Sequence, residues 1–205
     1  MAIDRLLEIA SDALAEPREL QEPPGYVTEE RWAELGDLLR RRNGFYAFES
    51  ALHVPHAGPG GQEAWNSPTG WKAEWDGAWD DCWCFGEDVF GSQFALAGDE
   101  VVLADAETAR REPVAGSLAD WAERVLEDYD YLCGYPLARD WQERHGPLPP
   151  GKRLFPKTPF MLGGDFTVDN LGAVAAEEAM RARGEIFRQV RDLPPGAKVR
   201  LKTID

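Results

Sequence analysis

The stretch Trp71-Lys72-Ala73-Glu74-Trp75-Asp76-Gly77-Ala78-Trp79-Asp80-Asp81-Cys82-Trp83-Cys84-Phe85-Gly86-Glu87-Asp88-Val89-Phe90-Gly91-Ser92-Gln93-Phe94-Ala95-Leu96 decides the fold. From Cys82 it alternates as a strand does, with Cys82 and Cys84 on one face and Trp83 and Phe85 on the other, until Gly86 interrupts. Gly86 to Gly91 reads as a turn. A second strand follows from Gln93 to Ala97, and Gly98-Asp99 is a hairpin signal leading into a third, Glu100 to Asp105. Three strands joined by short turns predict an antiparallel meander at the centre of a sheet.

On the N-terminal side, Ile3, Leu6, Leu7, Ala10 and Leu14 have helical spacing, so a short helix is expected over 3–15. Pro17 and Pro23-Pro24-Gly25 end it, making residues 1–25 an arm and linker. Thr28 is a good N-cap for a second helix: Glu29 and Glu30 suit its start, Trp32, Leu35 and Leu39 line one face, and Arg40 to Arg42 suit its end. Asn43-Gly44 supplies a left-handed stop. Phe45 to Val54 reads as a buried strand running into a shorter one, and 55–70, rich in proline and glycine, as an irregular loop.

On the C-terminal side, Ser117 caps a helix whose apolar stripe is Leu118, Trp121, Val125, Tyr129 and Leu132. Gly134-Tyr135-Pro136 breaks it, and a further helix is expected from Leu137 to Glu143. The proline-rich segment 147–160 is expected to run extended over the core, and Phe166-Thr167-Val168 to form a strand. A helix follows from Ala175 to Arg191, with Met180, Phe187 and Val190 inward. A last strand is expected with Val199 and Leu201 inward and Lys198, Arg200 and Lys202 outward. Together these predict one α+β domain over 1–205, its core at 28–203, built on a largely antiparallel twisted sheet flanked by helices.

Composition narrows the function. No apolar run approaches a membrane span of about 18 residues, and Met1 to Arg5 lacks the basic and apolar regions of a secretory signal, so a cytoplasmic location is expected. Three cysteines, an odd number, argue against a disulfide framework. The net charge of −15 is concentrated: residues 71–130 hold 16 acids and 4 bases, whereas 152–205 hold 7 acids and 10 bases. An acidic surface repels phosphate backbones and attracts basic proteins, which argues against nucleic acid and for a basic protein partner.

Particular chemistries find little support. A metal site from His53, His56, Cys82 and Cys84 has the wrong cysteine spacing for zinc, and none is expected. Asp80, Asp81, Glu87 and Asp88 are candidates for acid/base work in a small carboxylate-dependent hydrolase. There is no Gly-X-Ser-X-Gly elbow, no basic context is recognisable around Cys82 or Cys133, and Gly58-Pro59-Gly60-Gly61 is not a phosphate loop. No cofactor is expected. What remains is aromatic residues interleaved with acids, a pattern typical of protein interfaces; it nominates Trp71, Glu74, Trp75, Asp76, Trp79 and Asp80, then Glu87 and Asp88, as an exposed partner-binding rim, the alternative for each ring being that it caps the sheet as core.

Three ordered segments resemble the SUKH superfamily of cell-wall-assembly regulators and bacterial immunity proteins. They are Arg42-Asn43-Gly44-Phe45-Tyr46-Ala47-Phe48-Glu49-Ser50-Ala51-Leu52, Cys84-Phe85-Gly86-Glu87-Asp88-Val89-Phe90-Gly91-Ser92-Gln93-Phe94, and Phe160-Met161-Leu162-Gly163-Gly164-Asp165-Phe166-Thr167-Val168-Asp169-Asn170-Leu171. The resemblance implies an α+β sheet with flanking helices and a non-enzymatic binding module. Many bacterial members neutralise toxins, often nucleases, by covering the active surface; others are regulatory adaptors. An immunity protein for a basic toxin domain is the expectation, with a regulatory or scaffold adaptor and a hydrolase as alternatives.

Overall fold

The computed structural model describes residues 1–194 and 196–199. Its order is α1 (Ala2–Ile9), α2 (Glu29–Arg41), β1 (Phe45–Ala47), β2 (Leu52–Val54), α3 (Gln62–Trp65), a 3-10 turn (Trp71–Trp75), β3 (Trp83–Glu87), β4 (Gln93–Ala97), β5 (Glu100–Ala104), β6 (Arg111–Ala115), α4 (Leu118–Glu127), α5 (Tyr129–Leu132), α6 (Tyr135–His145), β7 (Lys152–Pro156), β8 (Leu171–Ala175) and α7 (Ala176–Val190). The fold is α+β. Strands β1 to β6 form an antiparallel sheet in sequence order, and β7 pairs with β8 in a second, two-stranded sheet.

The alternation at β3 explains why the large sheet can be covered on both faces. Phe85, Phe94, Leu96 and Val101 pack with Leu6 of α1, Trp32, Leu35 and Leu39 of α2, and Trp121 and Val125 of α4. Cys82, Cys84, Ala95, Val102 and Ala104 face the opposite way and pack with Trp71, Trp75, Trp79 and Met180. At Phe85 the β3–β4 register slips by one residue, so Gly86 lies opposite Phe94 and Glu87 opposite Gln93. Glu87 also pairs with His53 of β2, which brings three polar side chains to one end of the sheet.

Helix boundaries follow local chemistry. Thr28 Oγ1 accepts the Arg31 amide, and Ser117 Oγ accepts that of Asp120 at 3.0 Å. α7 packs closely on the 3-10 turn, where Trp75 Nε1 donates to the Met180 carbonyl at 3.0 Å. Gly184 makes that approach possible: a Cβ there would stand 2.8 Å from both Trp75 Nε1 and the Glu74 carbonyl oxygen. A mid-helix glycine costs about 1 kcal/mol in propensity, and the packing of the tryptophan offsets it.

Several elements differ from expectation. α1 stops at Ile9, and Leu14 is exposed. The 118–132 stripe is two helices, because Asp128 leaves helical geometry and its side chain caps α5. Pro136 lies in the first turn of α6, where its missing N–H is harmless, so that helix begins at Tyr135. Residues 166–168 are not a strand: Phe166 is exposed, Val168 begins a 3-10 turn, and the strand is β8. β6 was not expected at all, since Pro113 disguises it; an edge strand tolerates proline. β7 lies inside the proline-rich segment. The last expected strand falls from residue 200 outside the described residues, and Lys198 and Val199 are not in a strand. No helix among the described residues is long and apolar enough to cross a membrane.

Candidate functional site

The nominated tryptophans are core. Trp71, Trp75 and Trp79 are at most 1% exposed and meet edge-to-face, with ring centroids 5.2 and 5.4 Å apart. Their spacing of four residues puts them on one side of a compact turn, a helical signal legible in the sequence. The acids between them are tied down by α7 and its C-cap: Glu74 pairs with Arg188 at 2.8 Å and Arg181 at 3.8 Å, and Asp76 with the C-cap residue Arg191 at 3.2 Å. Asp80 alone of that group is exposed and without an ion pair among the described residues. The structure therefore corrects the expectation of an exposed aromatic and acidic rim, because three rings face the sheet and two of its acids are neutralised within the chain.

Glu87 and Asp88 are also buried, in a polar layer at the end of β3. Glu87 Oε1 meets Arg153 Nε and His53 Nδ1, each at 2.8 Å; the arginine contact is an ion pair whose angle does not make a hydrogen bond. Burial would raise the Glu87 carboxyl, but the Arg153 charge and the His53 hydrogen bond overcome it and hold the group at about 2. Burial also lowers His53, which therefore donates to Glu87 as a neutral ring. Arg153 further donates to the carbonyls of Ser50 and Lys152 and lies over the Tyr46 ring, while Tyr46 stacks on His53. This cluster pins the turn Phe48-Glu49-Ser50, whose three residues all have positive φ, to β7.

His53 and His56 do not converge with the cysteines; His56 bonds the Pro59 carbonyl instead. Among the described residues no group of three or more His, Cys, Asp or Glu could hold a metal ion. Cys82 does have a basic neighbour. Lys72, itself buried, donates to the Trp79 and Cys82 carbonyls at 3.0 and 2.9 Å, and a hydrogen bond from Cys84 with the Lys72 charge holds the Cys82 thiol at about 7. Both thiols are sealed in the core, so this chemistry is out of reach of a substrate.

Beyond Glu87 the chain opens into a cleft of about 550 Å³, within the usual range of small-ligand sites. It lies among the turn after β3, the β5–β6 loop, the α5–α6 junction and the 160–166 segment. Phe90 meets Phe160 edge-on at 5.6 Å, and Phe160 stacks on Phe166 at 3.9 Å. Phe166 and Tyr131 are exposed at the mouth. Gly134 lets the α5–α6 junction close on this wall, since a Cβ there would stand 2.5 Å from the Phe90 ring. Glu107 fixes the far side by accepting the Phe160 and Met161 amides at 3.1 and 2.7 Å.

Asp88 and Arg183 lie at the floor. Asp88 Oδ1 accepts the amides of Phe90 and Ser92 at 2.8 and 2.7 Å, yet burial pushes its carboxyl up to about 7. Arg183 was missed from the sequence, although it follows Met180 by three positions on the buried face of α7, where an arginine is out of place. Its guanidinium lies over the Phe155 ring at 4.8 Å.

A second depression of about 650 Å³ runs between β6, the edge of the large sheet, and α4. Glu100, Asp120, Glu123 and Glu127 line it against a single cation, Arg124, and none of the five is in an ion pair among the described residues. The uncompensated acidity of the central region therefore gathers here rather than around the tryptophans.

No protein-family model matches the chain, and no curated protein does either. A solved structure, the crystal structure of Atu4351 from Agrobacterium tumefaciens, is similar over 81% of this chain and 84% of its own, with 17% identity and a TM-score of 0.54. At that identity the likeness is one of fold alone, an α+β arrangement shared over most of both chains.

Proposed function

We propose that the chain is a non-enzymatic binding protein that holds a basic protein against the acidic groove between β6 and α4. The observation that carries the proposal is the set of four carboxylates in that groove, lined by one cation and in no ion pair among the described residues. Such acids raise the association rate with a positively charged surface and screen strongly with salt. In the immunity setting that the SUKH resemblance implies, the partner is a bacterial toxin domain with a basic active surface, and inhibition is by occlusion. The protein is then cytoplasmic and needs no cofactor.

The test is affinity capture of the tagged chain from its native cells at low and moderate salt, beside a Glu123→Lys/Glu127→Lys variant. The expected result is one stoichiometric basic protein, toxic when produced alone, whose association with the variant is at least about tenfold slower. A partner that binds wild type and variant alike, with no response to salt, refutes the groove. A partner that is harmless alone replaces immunity with the adaptor role. The hydrolase alternative has one feature in its favour, Asp88 lining the cleft with its carboxyl held near neutrality. A measured turnover abolished by Asp88→Asn in a folded protein would establish it.

A further inference from the structure

Arg183 is 3% exposed, and its Nε and Nη1 have no hydrogen-bond partner among the described residues. It forms no ion pair among the described residues. A buried guanidinium without an acceptor is strongly disfavoured, and a charge-assisted hydrogen bond to a carboxylate relieves that cost. Four acids bear on it, Glu107, Asp88, Asp105 and Glu87, and each holds other partners: Glu87 meets Arg153 and His53, and Asp105 Oδ1 accepts the Glu107 and Thr108 amides. Glu107 spends both oxygens on the Phe160 and Met161 amides, and Asp88 spends Oδ1 on those of Phe90 and Ser92. The turn that carries Asp88 is shaped to admit the arginine: Gly91 has φ 87°, and a Cβ there would stand 3.2 Å from Nη1.

From this unpaired cation beneath an aromatic wall we propose that the cleft binds an organic carboxylate, its carboxyl group on Arg183 and its flat apolar body against Phe90 and Phe160. Asp105, Glu112 and Asp130 also line the cleft, and their charge disfavours a phosphate dianion more than a monoanion. A free small acid and the C-terminal carboxylate of an aromatic peptide share this chemistry. None of the residues invoked lines the acidic groove, so the inference is independent of the protein-partner proposal.

The test is calorimetric titration of the full chain with phenylacetate, N-acetyl-phenylalanine, phenylacetamide and phenethylamine. Saturable binding is expected for at least one of the two acids, with the neutral amide and the amine about tenfold weaker or worse, because neither can form the charge-assisted hydrogen bond with Arg183. Tighter binding of N-acetyl-phenylalanine identifies a polypeptide terminus as the source, and tighter binding of phenylacetate a free acid. Arg183→Met should reduce acid binding by the same factor. The comparison of acid with amide needs no variant, so it stands even if Arg183→Met does not fold. Equal binding of acid and amide, or no saturable binding of either acid up to its solubility limit, overturns the proposal.

Discussion

Asp88→Asn should change the pH dependence of stability in a way that isolates one buried carboxyl. The ordinary side chain titrates at 3.8, and burial raises Asp88 to about 7 in the folded chain. A group raised on folding contributes stability fully below its unfolded value, and the contribution is lost as pH climbs through the folded one. The gap is about 3 on the pH scale, which at 1.36 kcal/mol each gives about 4 kcal/mol lost between pH 4 and pH 8. Asparagine keeps an oxygen for the Phe90 and Ser92 amides and cannot ionise, so it removes the titration while preserving the turn. Urea unfolding at intervals from pH 4 to pH 8 reads the effect. The variant should gain on wild type as pH rises, by up to about 4 kcal/mol, with unchanged m-values. A constant gap between the two curves would refute the reasoning, since it would mean that Asp88 titrates alike in both states.

Arg153→Met should leave Glu87 buried with only the uncharged partners His53 and Gln93, destabilising the fold by about 3–5 kcal/mol in urea. In wild type the Glu87 contribution has the opposite sign to that of Asp88: it is present above the ordinary 4.5 and lost as pH falls towards about 2, so acid unfolding of wild type should sharpen in that window and that of the variant should not. Gly184→Ala, which in an open helix would stabilise, should instead destabilise by about 1–3 kcal/mol, because the new methyl meets Trp75 and Glu74. A thermal melt with equal or higher midpoint would sink that account of the glycine.

The fold was largely legible because its signals are local. Alternation around Cys82 to Phe85 placed two faces of one strand, Gly98 placed a hairpin, and Thr28 and Ser117 placed helix starts, each from residues within a few positions of one another. The failures were also local. Asp128 divided a continuous stripe by capping, and Pro113 hid an edge strand whose neighbour, not its own composition, makes it a strand.

The site was less legible, for a different reason. Asp88 was nominated, but as an exposed rim residue, and Arg183 was not nominated, although the two lie at the floor of one cleft from positions 95 residues apart. Glu74 and Asp76 read as free acids until α7 and its C-cap supplied Arg181, Arg188 and Arg191.

By itself, then, the sequence determined the meander, most helix boundaries and the excess of acid, since backbone period, capping and formal charge depend on neighbours in the chain. Only the tertiary structure decided which tryptophans are buried, which carboxylates keep their charge unpaired and which buried arginine has no ion pair among the described residues. Burial and pairing depend on what docks from far along the chain, and helix α7 made those choices by closing on the sheet.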